Sequence, residues 1–331
     1  MTNLRGTTPL ALALLLMSLL PGCALRAREH LERGNVALDQ RDLIAALAEY
    51  QQAVALDPNN ADAHQKLGET YREMGDLDKA ADSLETAVRL DPFDFKPMFE
   101  LGQVYQLLDR VAQAIKAYAL ACELDPRNFD VRSRLANCYQ QSGDLDRAIE
   151  TYKAALRLEP RNAFAWSNLG AVYNEKGMYY EAINAYKQSL ECGTPHQPVV
   201  LVNLATAHIN LERWQAARQT LLTAIRLEPN LSVAHARLAY CWWREDKLDE
   251  AAASYRRALE LDPKNAAAHA GLGVVRLSQY LAQPDRADYL DEAVECWHNS
   301  LEINPDQPKV RGLLDRYRIK QNRPPADADI R

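Results

Sequence analysis

The tripeptide Leu-Asp-Pro, or a close variant, returns along this chain at a nearly constant interval, which constrains the fold more than any other feature. Proline lacks an amide donor and disfavours helix at the residue before it, so each copy marks the end of a helix. A period of 34 residues predicts helix pairs that stack side by side. The prolines of the series are Pro58, Pro92, Pro126, Pro160, Pro229, Pro263 and Pro305.

Small and large residues recur in register with these prolines. Counted from the start of each unit, position 8 holds Gly or Ala and position 20 holds Ala, which lets two helices approach closely, while large residues at positions 7, 11 and 24 fill the remaining space. The fifth unit is a clear example, with Trp166, Leu169, Gly170, Tyr173, Ala182 and Tyr186. This pattern resembles the tetratricopeptide repeat (TPR) family. The resemblance covers residues 27–307 and implies an all-α, right-handed α-solenoid superhelix of helix-turn-helix repeats.

The register predicts eight repeats, a capping helix at 308–321 and a tail at 322–331 whose composition is typical of disorder. Repeat 5 lacks the proline stop and carries one extra residue, so we expect an irregularity near Gly193–Pro198. Repeat 8 carries eight extra residues between its helices, which we expect to form a longer exposed turn. The repeats are expected at 27–60, 61–94, 95–128, 129–162, 163–197, 198–231, 232–265 and 266–307.

The first 22 residues read as a signal peptide. Arg5 supplies a positive charge, and Leu10–Leu20 is an apolar run too short to span a bilayer but typical of a signal sequence. The stretch Leu20-Pro21-Gly22-Cys23 resembles a bacterial lipobox, which implies that Cys23 is the lipid anchor and 23–26 a short linker. The resemblance implies a bacterial cell-envelope location, with Ala24 favouring the outer membrane. The alternative is an ordinary secretory signal.

Composition and motifs argue against catalysis and against nucleic-acid binding. The formal net charge is -6 and no basic block occurs, so phosphate neutralisation is not favoured. Four of the seven histidines fall at repeat position 4, at least one repeat apart, which is too far for a shared metal ion. We find no Cys-x-x-Cys, phosphate-binding glycine loop or nucleophile–base set. The sequence predicts a protein without cofactor, metal or catalytic residues. A hydrolase assembled from several repeats is the remaining enzymatic alternative.

The TPR resemblance implies a groove lined by the first helix of each repeat, at positions 2, 5, 6, 9, 12 and 13. Repeat 2 places polar and charged residues there, including Gln65 and Glu69, so we expect a solvated face. Repeats 4 to 6 offer asparagines whose amides can both donate to and accept from a peptide backbone. This resembles the asparagine ladder of peptide-binding TPR proteins, although asparagine is also common in the repeat consensus. The residues are Asn137, Asn168, Asn174, Asn203 and Asn210.

Repeats 6 to 8 present a mostly apolar stripe at the same positions. Four of the five tryptophans fit core positions, whereas Trp243 falls on the expected groove without a core role. Exposed apolar and aromatic stripes are typical of binding surfaces. The alternative is that the capping helix or the tail covers the stripe. The candidate residues are Val202, Thr206, Ile209, Tyr240, Trp243, Val274 and Leu277.

These observations predict a non-enzymatic, membrane-anchored scaffold that binds a partner protein or peptide in its groove. Two roles of similar TPR lipoproteins are open: a pilotin that assists a type IV pilus secretin, and an adaptor for peptidoglycan hydrolases. A module linked to protein glycosylation resembles the chain less, because that enzyme needs a catalytic domain. The motifs support the architecture of these roles and the specificity of none.

Overall fold

The computed structural model describes residues 9–321 and shows that the predicted all-α architecture is correct. Every regular element in that range is an α-helix. The chain forms two compact units, one ending at Pro160 and the other beginning at Arg161. In each unit, every helix packs against the next helix in the chain, as in a TPR array. The predicted tail and the first eight residues lie outside the described range.

In unit 1, residues 9–160 form eight helices, and each one packs against the next along the chain. Their bounds are α1 Pro9–Asp39, α2 Leu43–Leu56, α3 Ala61–Met74, α4 Leu77–Leu90, α5 Phe95–Leu107, α6 Val111–Leu124, α7 Phe129–Gln141 and α8 Leu145–Leu158.

Unit 2 contains nine helices within the described residues, and again consecutive helices pack together. The last of them, α17, packs against α16, where Tyr317 and Trp297 place their ring centroids 6.1 Å apart. The bounds are α9 Ala163–Glu175, α10 Tyr179–Glu191, α11 Gln197–Asn210, α12 Trp214–Leu227, α13 Ser232–Arg244, α14 Leu248–Leu261, α15 Ala266–Ala282, α16 Ala287–Ile303 and α17 Pro308–Gln321.

The small residue at position 8 allows the two helices of a repeat to touch. A Cβ atom added to Gly102 would lie 2.6 Å from the ring of Tyr118, and one added to Gly170 would lie 2.7 Å from the ring of Tyr186. Both rings occupy position 24 of the same repeat and are buried. Because interiors are densely packed, a Cβ atom at either of these two glycines would require the ring or the helix to shift. The sequence pattern therefore corresponds to a direct backbone-to-ring contact.

The turn between the two helices of a repeat depends on one residue in the left-handed region. Position 15 has a positive φ in repeats 1 to 7, where glycine serves in some repeats (Gly143, φ 78°) and a larger residue in others (Asp246, φ 58°). In repeat 8 the same position is Tyr280, which lies inside α15. The helix of repeat 8 therefore continues through the position at which the other repeats turn.

The eight extra residues of repeat 8 therefore lengthen its helices, and the expected long exposed turn is wrong. Helices α15 and α16 each have 17 residues, and only a short turn separates Ala282 from Ala287. The added turns are joined by polar contacts. Arg276 is buried with its Nε 2.8 Å from Glu292, and Gln279 donates a 2.7 Å hydrogen bond to Asp249. The first contact joins α15 to α16 and the second joins α15 to α14, so both neighbours hold the lengthened helix.

The histidines at repeat position 4 link each helix to the turn before it. Nε2 of His64, His235 and His269 each lies 3.0 Å from a proline carbonyl oxygen six residues earlier. Since a carbonyl can only accept, the histidine nitrogen donates. Arg132, at the same position in repeat 4, donates to Pro126 at 2.6 Å. Position 4 therefore satisfies the carbonyl group at the helix-ending proline, a role that the sequence pattern did not reveal.

The expected solvated face of repeat 2 is wrong, because part of it is a buried polar network between α3 and α5. Gln65, Glu69 and Glu100 are all buried. The Gln65 amide donates to Glu69 at 3.1 Å and to Glu100 at 3.0 Å, and Lys96 Nζ lies 2.7 Å from Glu69. Lys66 lies 3.0 Å from the same carboxylate. These side chains satisfy one another instead of facing water.

The two glutamates of this network titrate in opposite directions. Burial would raise the pKa of Glu69, but hydrogen bonds from Lys96, Glu100 and Lys66 outweigh it and hold that pKa well below its usual range. Burial, followed by the hydrogen bond and negative charge of Glu69, raises the pKa of Glu100 to about 7. A protonated Glu100 can donate to an ionised Glu69, which keeps a single negative charge on the pair.

Among the described residues, no helix combines the length and the apolar composition that crossing a bilayer requires.

Replacing Gly170 with alanine should destabilise the fold, whereas the same change at Gly312 should not. The alanine methyl would overlap the Tyr186 ring, at a cost of about 2 kcal/mol, since overpacking forces neighbouring groups to shift. Gly312, in the middle of α17, has open space around its Cβ position, so alanine there should raise stability by about 0.5–1 kcal/mol. Denaturant titrations followed by circular dichroism measure both. Equal effects of the two changes would contradict the close helix contact.

Replacing Glu100 with glutamine should remove a pH dependence from unit 1. A carboxyl whose pKa is raised on folding contributes stability at low pH, and that contribution is lost as pH rises through about 7. The amide keeps a donor toward Glu69 but cannot ionise. Amide hydrogen exchange in α3 and α5 should therefore accelerate in the wild type as pH rises from about 4.5 to about 7, after correction for the intrinsic rate, and less so in Glu100→Gln.

The exposed Glu123→Gln in the same unit is the control, and it should retain the wild-type pH dependence. An identical pH response of wild type and Glu100→Gln would show that Glu100 does not hold its proton near neutral pH.

A candidate protein-interaction face in unit 2

The first helices of the four repeats in unit 2 form a continuous surface. Helix α9 contacts α11, α11 contacts α13, and α13 contacts α15. We call the side of these helices that carries repeat positions 2, 5, 6, 9 and 12 the A-helix face. The 3.6-residue helical period places these positions on one side. This surface is the structural counterpart of the groove that the sequence predicted for repeats 5 to 8.

Position 2 of the A-helix face carries a row of exposed apolar side chains. The exposed fractions are 52% for Phe164, 49% for Val199 and 45% for Val233. Phe164 also meets the ring of His196 edge-on, with 5.8 Å between centroids. Because the three side chains recur at one repeat position in adjacent repeats, they form a candidate binding surface. Sequence reasoning did not select Phe164, although its position 2 was a usable signal.

The capping helix does not cover this row. Helix α17 packs on α16, and the exposed fractions of the position-2 side chains already include its presence. One of the two alternatives for the apolar stripe, coverage by the capping helix, is thereby removed. The predicted tail lies outside the described residues.

An aromatic cluster stands at the other end of the A-helix face. The ring of Tyr240 lies 5.9 Å from Trp214 and 5.7 Å from Trp243, in edge-on and tilted arrangements that aromatic pairs favour. The Arg244 guanidinium lies 4.3 Å from the centroid of Trp214 and donates to the Tyr240 hydroxyl at 3.2 Å. The Trp243 indole donates to Ser278 at 3.2 Å. The cluster therefore holds its rings in fixed orientations.

The sequence predicted that Trp243 has no core role, and this prediction is wrong. It is half-buried and packs against the cluster of buried residues that includes Leu272 and Tyr255. Its outer part remains accessible beside Tyr240, so it both supports the fold and contributes to the face. Trp214, which the sequence placed only in the core, also borders the face through Tyr240.

The predicted asparagines have different environments. Asn168 is exposed and Asn203 half-buried, and neither has a hydrogen-bond partner among the described residues. Asn210 donates to Asn174 at 3.2 Å, so this pair is partly satisfied. Asn137 belongs to unit 1, where it accepts from Gln106 at 3.3 Å. Asn168 and Asn203 are therefore the amides available to a bound backbone.

The remaining predicted residues divide into accessible and inaccessible ones. Val202 is only 5% exposed and cannot contact a partner directly, so its assignment to the groove surface is wrong. The Thr206 hydroxyl donates to the Val202 carbonyl at 2.8 Å, which commits its polar group to its own helix. Ile209, Val274 and Leu277 are half-buried and keep an accessible apolar edge. Cys23, the predicted anchor, has a side chain outside the described part of the structure.

Charge is nearly absent from the A-helix face of unit 2. Of the twenty residues at positions 2, 5, 6, 9 and 12 in repeats 5 to 8, Arg237 is the single charged one, and position 13 at the edge of the face adds Glu175 and Arg244. The same positions in repeats 1 to 4 of unit 1 hold ten charged residues, several of which belong to the buried polar network. The two units therefore share one backbone pattern but present chemically different faces.

The ionisable groups of unit 2 form no arrangement for nucleophilic chemistry. Burial raises the pKa of Cys241 and of Cys296 to about 12, so both thiols stay protonated and inert. Burial, with Arg213 and Lys187 nearby, lowers the pKa of His208, and its Nδ1 has no hydrogen-bond partner. Within the described residues, no group of three or more His, Cys, Asp or Glu side chains is placed to hold a metal ion.

Solved structures of other TPR proteins share this fold. A tetratricopeptide repeat protein from Parabacteroides merdae is 17% identical, covers 78% of this chain and 98% of its own, and gives a TM-score of 0.62. The APC/C hetero-tetramer Cut9-Hcn1 gives 0.56 at 21% identity, covering 87% of this chain and 56% of its own. Pseudomonas aeruginosa pilF gives 0.50 at 19% identity, covering 64% and 96%. At these identities the likeness shows the fold alone.

No curated protein sequence matches the chain. The profile of one family, described as the cilia and flagella-associated protein 70 C-terminal domain, matches residues 11–276. That family is of the TPR type, and its repeat fold is generally a non-catalytic scaffold for protein interactions. With four-fifths of its residues matched to the profile, the chain belongs to the TPR family described by the cilia and flagella-associated protein 70 C-terminal domain.

Proposed function

We propose that this protein is a non-enzymatic scaffold that binds a partner polypeptide on the A-helix face of unit 2. The observation that carries the proposal is the row of exposed side chains at position 2, Phe164, Val199 and Val233, beside a face that carries few charges. Exposing an apolar surface of this kind to water is unfavourable, and covering it with a partner lowers the free energy of the system.

The chemistry of the face favours a polypeptide over other ligands. Asn168 and Asn203 offer side-chain amides that can pair with both groups of a peptide bond. The rings of Tyr240 and Trp243 offer a fixed aromatic surface on which an apolar side chain can rest. A nearly uncharged surface has no attraction for a nucleic-acid backbone. A short helix or an extended segment laid along α9, α11, α13 and α15 would use all of these groups.

We further propose that the chain is tethered to a bacterial membrane through a lipid on Cys23. The proposal rests on the apolar run that precedes this cysteine and on the lipobox-like stretch Leu20–Cys23. Because only residues 23–26 separate that site from the first repeat, the tether would hold unit 1 close to the lipid surface. A pilotin and an adaptor for peptidoglycan hydrolases would both fit this geometry, and no contact in the structure favours one of them.

Replacing Val233 with aspartate should abolish partner binding without unfolding unit 2. Val233 is 45% exposed, so the fold tolerates the change, but a bound partner would bury the new charge, and we expect at least about tenfold weaker binding. Leu222→Asp is the matched control, since Leu222 is 40% exposed on α12, a second helix of its repeat.

Affinity capture from a solubilised membrane fraction, followed by binding measurements on the purified partner, tests this expectation. A partner retained by wild type and Leu222→Asp but lost by Val233→Asp supports the proposal. Equal capture by Val233→Asp would contradict it.

Replacing Cys23 with serine should release the protein from the membrane, because serine cannot receive the thioether-linked lipid. Fractionation of cells that produce each form, with mass spectrometry of the mature N-terminus, measures the outcome. Wild type should be membrane-bound and carry the mass of the lipid. A Cys23→Ser protein that stays in the membrane fraction would rule out the lipid tether.

A further inference from the structure

Arg237 is a half-buried charge without a carboxylate partner, whereas Arg244, the other arginine of this face, lies 3.7 Å from Glu212. Its Nε is buried and has no hydrogen-bond partner, and no ion pair joins it to a carboxylate of the described residues. Burial lowers its pKa, yet a guanidinium remains protonated. Two other arginines of unit 2 form ion pairs, Arg218 with Glu245 at 3.3 Å and Arg256 with Glu292 at 2.8 Å. An unpaired charge of this kind costs stability.

The repeat register explains why Arg237 lacks partners. Arg134 occupies the same position 6 in repeat 4 of unit 1, where it lies 5.6 Å from the centroid of Phe99 and its positive charge acts on the nearby Tyr118 hydroxyl. Phe99 and Tyr118 stand at positions 5 and 24 of the preceding repeat. In repeat 6, the repeat that precedes Arg237, those two positions hold Val202 and Leu221.

Neither valine nor leucine can offer a π face or a hydroxyl. The arginine is thus present at position 6 while both of its equivalent partners are replaced by aliphatic side chains. The residues around it on the A-helix face, Asn203 and Thr206 at positions 6 and 9 of α11 and Tyr240 on its own helix, carry no charge. Tyr186 and Cys241, the ionisable groups that act on Arg237, are neutral because burial raises the pKa of each. No carboxylate within the described residues forms an ion pair with the Arg237 guanidinium.

The geometry points to a specificity for an acidic partner segment: we propose that Arg237 receives the side-chain carboxylate of an Asp or Glu in the bound polypeptide. The flanking apolar side chains of that segment would lie on Val233 and on the Tyr240–Trp243 rings. Arginine suits this role because its planar fork matches a carboxylate in two hydrogen bonds. The inference rests on the proposed function and adds the charge of the ligand to it.

A library of random linear peptides, selected on the full chain, tests the ligand class. The peptides that depend on the A-helix face are identified by loss of binding to Val233→Asp. We expect these peptides to be enriched in an Asp or Glu flanked by apolar residues. For one such peptide, changing its acid to the amide should weaken binding to wild type about ten- to hundredfold, as expected for a charge-assisted hydrogen bond.

A double-mutant cycle then assigns the effect to Arg237. The acid-to-amide change in the peptide should have little effect on binding to Arg237→Gln, because the charge that it pairs with is gone. Arg134→Gln, the same change at the same repeat position in unit 1, is the control and should bind the peptide as wild type does. Arg237→Gln should unfold at the same temperature as wild type or a higher one, since it removes a half-buried unpaired charge.

The outcomes separate this inference from the proposed function. Peptides that require Val233 but show no acidic preference, or that bind Arg237→Gln as tightly as wild type, overturn the acidic specificity and leave the interaction face intact. Failure to select any peptide that depends on Val233 overturns both. An acidic preference that persists unchanged in Arg237→Gln places the carboxylate elsewhere and also rules out the assignment to Arg237.

Discussion

The contact between the residue at position 8 and the large side chain at position 24 is the interaction on which the rest of this structure depends. Most of the helices have 13 or 14 residues and would be marginal alone in water. They persist because a glycine such as Gly170 lets the ring of Tyr186 rest against the backbone of the partner helix. Each closely packed helix pair then packs against the next repeat, and these contacts between adjacent repeats stabilise the array.

The same scaffold supports two kinds of A-helix face. In unit 1 the face is occupied by its own side chains, since Gln65 links Glu69 and Glu100 across α3 and α5, and lysines neutralise the pair. In unit 2 the equivalent positions carry aliphatic and aromatic groups, and Arg237 has lost the partners that Arg134 keeps. The first arrangement satisfies itself, whereas the second leaves apolar area and one charge for a partner to satisfy.

The fold could be predicted from the sequence because the period and the small residues at positions 8 and 20 act through local geometry. The course of repeat 8 could not, since it depends on Tyr280 remaining helical where other repeats turn. The burial of Glu69 and Glu100 was missed because a consensus does not show which polar side chains meet across repeats. The isolation of Arg237 was visible in register, through Val202 and Leu221, but only once Arg134 showed what that position normally contacts.

Site-specific photo-crosslinking in living cells tests most directly whether unit 2 carries the partner. A photoreactive residue placed at Val199 or at Asp62 occupies repeat position 2 of unit 2 or unit 1, respectively, on side chains that are both exposed. A partner that binds the A-helix face of unit 2 should form a discrete crosslinked product from position 199 and none from position 62. Crosslinking from position 62 alone, or equally from both positions, would contradict the division of roles between the two units.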